Sequence, residues 1–384
     1  KQLLCRNVVI LLHYDIRDQS LNTEKWRSGM EKERNHLIDA IKCLACFGVV
    51  MLHMPAVKFQ KEIIDIQDML GRCGVPLFFM ISGYFAAKHV EKDPSSSRWF
   101  FKRAVKMLQQ FVIFELIFLI CYCLNGFASL AETGTFSFNG EAIWKLVVFN
   151  VPLFSGILWY LLAYAYCLVI YGIASYFKRG YHFLAVLSPV LLLLYYLLGR
   201  YSMIFFDVKI PYYWSRNFLL AAIPMFTIGF LMPKVNIKWL TDQNIIVLSL
   251  LSVCLLFAEC MAFHLNPSIK GANNYIFNTV LAFLVIYYAT HDPQITVSED
   301  HILAVIGRKY SLYIYAFQGI AAKLCSTTVQ LILKLDKNAG TFAISFYHIT
   351  KPICVFLMGL LMAYVYVKMI EILNARFTKK VLIR

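Results

Sequence analysis

Uninterrupted apolar blocks of about twenty residues recur along the chain, and their length constrains the fold more than any other feature. Coiled as a helix at 1.5 Å per residue, such a block crosses a hydrocarbon layer about 30 Å thick. A helix also satisfies its own backbone N–H and C=O groups where no water can. Composition agrees: 60% of the residues are hydrophobic and 15% charged, against about 25% charged in a soluble domain. A water-soluble core of this size has no room for so much apolar surface. The expected fold is all-α, a polytopic bundle of transmembrane helices.

Apolar length and the turn or charge signals between blocks mark ten candidate spans, at 36–54, 73–88, 105–126, 157–177, 182–199, 217–232, 244–263, 275–290, 311–333 and 352–373. The connection after the second span carries Lys88, Lys92, Arg98, Lys102, Arg103 and Lys106, and the tail carries Arg376, Lys379, Lys380 and Arg384. The positive-inside bias places both in the cytoplasm. Ten spans with an inside N-terminus require an inside C-terminus, which matches. Lys178 and Arg179, Lys234 and Lys238, and Arg308 and Lys309 then also face inward. A net charge of +15 distributed in this way points to membrane lipids with anionic headgroups rather than to nucleic acid, which requires a basic stripe on a water-facing surface.

Between the third and fourth spans, 127–156 is the longest outer connection, with an amphipathic stretch at Trp144 to Phe149 that reads as a short interfacial helix. Residues 1–33 have another character, with Arg17, Asp18, Glu24, Lys25, Arg27 and Lys32 around one short apolar run. The run is too short for a signal peptide. From Met30 the sequence MEKERNHLIDAIK reads as a cytoplasmic start before a first span, so the preceding residues read as an extension that comes from the choice of start site rather than as native sequence. The chain thus divides into an extension at 1–33, a membrane domain at 34–375 and a basic cytoplasmic tail at 376–384. No internal repeat indicates duplicated halves. Most of the eleven cysteines lie inside apolar blocks and read as packing residues; Cys43 and Cys46 form a CxxC with no second pair to complete a metal site, so no metal is expected.

An ionisable group at membrane depth costs several kcal/mol unless it is paired or lines a wet cavity, so each one is a functional candidate. The set is Asp39, Lys42 and His53 on the first span, Arg103 and Lys106 entering the third, Glu115 within it, and Glu259 in the seventh. Lys42 and His53 stand eleven residues apart, which puts them within ~20° of one helix face and ~16 Å apart along it. A cation at the cytoplasmic end and an imidazole near the outer end suit a long ligand with an anionic head and a reactive far end. Acyl-coenzyme A has that shape. Structural alternatives stand beside each residue: His53 bonded to a backbone carbonyl, Lys42 snorkelling, and Arg103 with Lys106 as interfacial anchors.

Several segments resemble one family. LIDAIKCLACFGVVMLH at 37–53 resembles the first helix of the acyltransferase 3 family, in which a basic residue, ten intervening residues and a histidine form a signature; Lys42 stands where arginine is commoner. GVPLFFMISGYF at 74–85 resembles the second-helix motif, with Pro76 and Gly83 permitting irregular backbone and tight packing. FFKRAVK at 100–106 resembles the basic motif ahead of the third helix, Arg103 matching its first arginine and Lys106 replacing its second. LWYLLAYAY at 158–166, RNFLLAAIPMFTIGFLM at 216–232 and IGRKYSLYIYAFQ at 306–318 resemble later segments. Gln318 departs from the pattern, since many relatives carry histidine there after the Ser-x-x-x-Tyr of Ser311 and Tyr315. Two arginine-to-lysine changes keep the charge and lose bidentate phosphate geometry.

The resemblance implies an integral membrane acyltransferase of the bacterial cytoplasmic membrane. Its donor is acyl-coenzyme A, acetyl above other acyl groups, a co-substrate rather than a bound cofactor, contacted by Lys42, Arg103 and Lys106. Its acceptor is a hydroxyl of an envelope carbohydrate or a lipid-linked relative. Attack by a hydroxyl on a thioester needs a base, and histidine, with an ordinary pKa near 6.5, suits that work at neutral pH; His53 is the expected base. Asp39, ~21 Å from it along the helix, is expected to pair with Lys42 or a neighbouring helix. Candidates for holding the acceptor or supporting the site are Trp159, Tyr164, Arg216, Asn217, Glu259, Ser311, Tyr315 and Gln318. Of these, Trp159 and Tyr164 are equally readable as an aromatic belt, Asn217 as a helix cap, and Glu259 as an orienter of His53, an acceptor ligand or a partner of Arg216. A polysaccharide or small-molecule exporter, or a sensing module built on the same fold, is the alternative class.

Overall fold

The computed structural model describes residues 34–54, 67–93, 97–124, 139–266, 274–291, 293–333 and 341–382, with 329–333, 341–349, 374 and 376–382 given by backbone alone. The extension at 1–33, with Met30, lies outside the described residues, as do 127–138 of the long outer connection and the side chains of the basic tail. Among the described residues all regular structure is helical and there is no strand. In chain order the α-helices are α1 (His36–Leu52), α2 (Gly74–Lys92), α3 (Ser97–Cys123), α4 (Gly140–Phe149), α5 (Trp159–Ala174), α6 (Gly180–Leu197), α7 (Tyr201–Phe206), α8 (Ile223–Leu231), α9 (Asp242–Leu265), α10 (Ile276–Thr290), α11 (Ile302–Lys309), α12 (Ser311–Leu333) and α13 (Thr341–Leu382).

Six helical runs are long and apolar enough to cross a membrane: Gln67–Lys92, Ser97–Cys123, Gly156–Ala174, Gly180–Leu197, Asp242–Leu265 and Thr350–Leu373. Phe218–Lys234 and Ile276–Thr290 are apolar but shorter. The other expected spans also coincide with helices, α1 with 17 residues and α12 with 23. Expected span 73–88 begins too late, because helix already runs from Gln67 with a break at 72–73.

α5 is the central helix, buried on nearly every side from Trp159 to Ala174. The outer helices instead expose apolar rows at helical spacing, such as Val112, Leu116 and Ile120 on α3 and Leu357, Leu361 and Val365 on α13. Such rows are the face a helix offers to lipid. Since lipid tails are as apolar as leucine, burial alone does not hold helices together there, and close approach at small residues does. A Cβ on Gly83 of α2 would run into the carbonyl of Phe226, and one on Gly229 of α8 into the carbonyl of Met80. The two glycines therefore allow α2 and α8 to lie backbone against backbone. Gly307 of α11 does the same against Asp39 and Cys43 of α1.

Two prolines shape the backbone at the starts of these helices. Pro76 stands in the first turn of α2, where its missing N–H is one of the unpaired donors of any helix start. It cannot donate to the carbonyl of residue 72, so the helix from Gln67 breaks at 72–73 rather than at Pro76 itself. Pro224 likewise cannot donate four residues back, and the turn before it, Phe218–Ala222, is wound as a π-helix. Short α4, expected on the interface, has none of its residues buried, and Trp144 is exposed.

Candidate functional site

α1 begins on Asn35, whose side-chain carbonyl accepts from the N–H of Ile38 at 3.1 Å while its amide donates to the carbonyl of Ala289, 2.5 Å away. This ties the helix start to the end of α10. One turn on, the Asp39 carboxylate is wholly buried. Lys42 Nζ donates to Asp39 Oδ1 at 3.0 Å, the expected pairing, and Arg34 adds Nε to Oδ2 at 2.7 Å and Nη2 to Oδ1 at 3.3 Å. The Lys42 ammonium also lies 4.5 Å from the centre of the Phe85 ring. Arg103 lies within electrostatic reach of Lys42. Two cations thus bond one carboxylate with a third in reach of Lys42, an excess of positive charge at the start of the helix. Lys106 is exposed one turn further along the same helix as Arg103.

His53 caps the other end of α1, its backbone N–H donating to the carbonyls of Val49 and Val50. Its imidazole has no hydrogen-bond partner among the described residues, so the structural alternative of a ring satisfied by a carbonyl does not hold for them. The ring instead lines a cavity of about 50 Å³ shared with Arg72, Trp159, Tyr195, Arg216, Asn278 and Tyr315. That is room for a few waters or a two-carbon acyl group. Arg72 is held by a fork: Nε donates to Asp68 Oδ2 and Nη2 to Asp68 Oδ1, both at 2.7 Å. Tyr275 donates to the same carboxylate at 3.3 Å. The Arg216 guanidinium is packed on two rings, 4.7 Å from the centre of Tyr212 and 5.4 Å from that of Trp159. Asn278, in the first turn of α10, accepts from Cys73 Sγ at 2.8 Å. The Asn274 amide donates to the carbonyl of Tyr195 at 3.0 Å.

The expected base His53 and three of the acceptor candidates, Trp159, Arg216 and Tyr315, come together at this cavity. Tyr315 donates its hydroxyl to the carbonyl of Ile157, fixing α12 to the turn that starts α5. Tyr164 lies elsewhere, buried between Tyr160 and Phe226. Asn217 is fully used as a cap: its carbonyl accepts from Leu219 and Leu220 and its amide donates to the carbonyls of Tyr213 and Trp214. Glu259 accepts from Tyr201 Oη at 2.5 Å and from the N–H groups of Ile276 and Phe277 at 2.9 and 3.3 Å, so it caps α10 and bonds to neither His53 nor Arg216. Ser311 donates to the carbonyl of Gly307 within its own turn. Gln318 is wholly buried, and neither amide atom has a partner among the described residues. Glu115 accepts from the N–H groups of Leu153 and Phe154, holding the chain ahead of α5.

Arg72, Tyr195 and Asn278 are cavity residues that periodicity does not reveal. Arg72 belongs to the connection ahead of an expected span, and Tyr195 and Asn278 look like ordinary members of apolar runs. The one available signal was Asp68 with Arg72, a charged pair at i and i+4 just before the proline of an apolar block.

No curated protein and no solved structure matches the chain. A family model described as an acyltransferase domain matches residues 35–368, nearly the whole chain and both ends of the α1 site. With its apolar helices, this makes the protein a multi-pass membrane protein, and the chain belongs to the acyltransferase 3 family.

Proposed function

We propose that the protein moves an acyl group, acetyl above others, from cytoplasmic acyl-coenzyme A to a hydroxyl of an envelope carbohydrate or a lipid-linked relative, within the bacterial cytoplasmic membrane. The observation that carries this is the arrangement on α1: an imidazole with no bonded partner among the described residues opens into a small cavity, and a cationic cluster lies ~16 Å down the same helix face. Ten spans with both termini inside put the cluster in the cytoplasm and the cavity towards the outer leaflet, so donor and acceptor meet from opposite sides. The loop charges support that orientation.

In this mechanism the coenzyme phosphates rest near Lys42, Arg103 and Lys106, and the thioester reaches His53. The imidazole takes the proton of the acceptor hydroxyl as its oxygen attacks the thioester carbonyl carbon. Collapse of the tetrahedral species breaks the C–S bond, and the departing thiolate receives the proton from the imidazolium. Arg216 and Trp159 offer a donor and an aromatic face to a carbohydrate. Gln318 and Tyr315 support the α12 side.

The test is transfer or hydrolysis of labelled acetyl-coenzyme A by the purified protein across a panel of hydroxyl acceptors. Wild type is expected to turn over the thioester and His53→Ala to lose at least a hundredfold of that rate, the ordinary range for a general base. Equal rates for the two folded proteins would refute the role of His53, and inactivity of both across the panel would refute the transferase.

A further inference from the structure

We propose that Arg72 is the electrophilic partner of His53, the donor that stabilises the negative oxygen formed when the thioester carbonyl is attacked. The inference rests on the transferase reading and adds a residue that the motifs on α1 and α3 leave out.

Attack on a thioester converts its carbonyl oxygen into an oxyanion, and a base alone does nothing for that charge. A donor suited to the task is fixed before the reaction, faces the space beside the base, and retains N–H groups not spent on its own support. Arg72 has each of these properties. It lines the same cavity as His53. Its guanidinium is oriented by two 2.7 Å bonds to one carboxylate, through Nε and Nη2, and that carboxylate is further held by Tyr275. The two hydrogens of Nη1 and the second hydrogen of Nη2 are not used by the Asp68 fork. The backbone explains its placement, because Pro76 stops the helix from running straight through residue 72 and the break carries the side chain to the mouth of α2.

Arg216 lines the cavity as well, packed on the Trp159 and Tyr212 rings. In this proposal the two arginines divide the work: Arg72, held by its carboxylate fork, acts on the reacting carbonyl, and Arg216 acts on the acceptor. Asp68 is a positioning residue, acting through Arg72. In the complete step, the hydroxyl proton goes to His53, the new C–O bond places the charge on the carbonyl oxygen beside Arg72, and expulsion of the thiolate removes it. No further reactant is needed.

The experiment measures kcat and both KM values for wild type, His53→Ala, Arg72→Ala, Arg72→Lys and Asp68→Asn in detergent, with acetyl-coenzyme A and the acceptor that supports wild-type turnover. Arg72→Ala is expected to lower kcat by about a hundredfold to a thousandfold, as removal of one oxyanion donor does, with KM for both substrates within threefold of wild type. Millimolar guanidinium ion is expected to restore part of that kcat in Arg72→Ala and none in His53→Ala, which a merely structural loss would not show. Asp68→Asn should fall between wild type and Arg72→Ala. Where Arg72→Ala does not accumulate, Arg72→Lys decides, with a kcat reduced at least tenfold expected. A His53-dependent rate that survives in the Arg72 variants, or a loss confined to KM, overturns the assignment alone; equal rates for wild type and His53→Ala overturn the transferase reading and this assignment with it.

Discussion

Replacing Asp39 by alanine tests the start of α1, because the carboxylate is wholly buried and supports two cations at once. Its removal leaves Lys42, with a side chain only 18% exposed, and Arg34 without their counter-charge. Breaking a buried pair in this way costs about 3–5 kcal/mol. At roughly 2 °C per kcal/mol for a chain of this size, the unfolding midpoint in detergent should fall by about 6–10 °C. Lys42→Met is a milder change, since Asp39 keeps the Arg34 bonds at 2.7 and 3.3 Å, and should cost about 1.5–3 kcal/mol, the worth of one hydrogen bond to a charged group. The double variant should lose less than the sum of the two. Kinetics divide the pair the other way: Lys42→Met should raise the donor KM roughly tenfold, about 1.4 kcal/mol of lost phosphate attraction, while Asp39→Ala, which frees both cations, should not raise it. Thermal unfolding followed by intrinsic fluorescence, together with donor saturation curves, measures both. A midpoint for Asp39→Ala within 2 °C of wild type, or a larger loss for Lys42→Met than for Asp39→Ala, would refute the buried-pair account.

Gly83→Ala should cost about 1–3 kcal/mol through overpacking against the Phe226 carbonyl; Gly140→Ala, with open space around the added carbon, should stay within about 0.5 kcal/mol of wild type, and equal melting of the two would refute the close helix contact. Glu259→Ala should lower the midpoint through loss of the α10 cap, about 1–3 kcal/mol, and leave kcat within a few-fold; a hundredfold loss of kcat in a folded protein would return Glu259 to the chemistry. Arg216→Ala should raise the acceptor KM by about tenfold with donor KM unchanged, and the reverse pattern in saturation kinetics would contradict its placement beside the acceptor.

Much of the helical layout is visible in the sequence because bilayer thickness leaves a length signature that does not depend on tertiary contacts. Asp39 with Lys42 is visible for a similar reason, since i and i+3 meet on any helix. Arg34 is not, because it lies ahead of the helix cap, where periodicity says nothing about direction. His53 and Lys42 share a face by helical geometry alone, yet the cavity at His53 depends on where six other segments end. Arg72 enters it only through the break enforced by Pro76. Glu259 attracts attention as a carboxylate at depth, but its partners are backbone N–H groups across a connection, invisible to side-chain patterns. Asn217 could be foreseen as a cap from its place before an apolar run, whereas the π-turn it opens depends on Pro224, seven residues later.

The close approach of α2 and α8 at Gly83 and Gly229 also bears on how the chain is made. α2 belongs to the least apolar of the six long helical runs and is one of the most buried, so it gains little from lipid and much from its neighbours. Its closest backbone partner is synthesised about 150 residues later, which at 5–20 residues per second means a wait of roughly seven to thirty seconds. During that interval the groove on α2 has no α8 to fill it. Biogenesis therefore has a vulnerable window, and a bulky residue at either glycine would extend it indefinitely, sending the newborn chain to quality-control proteolysis before any substrate is met.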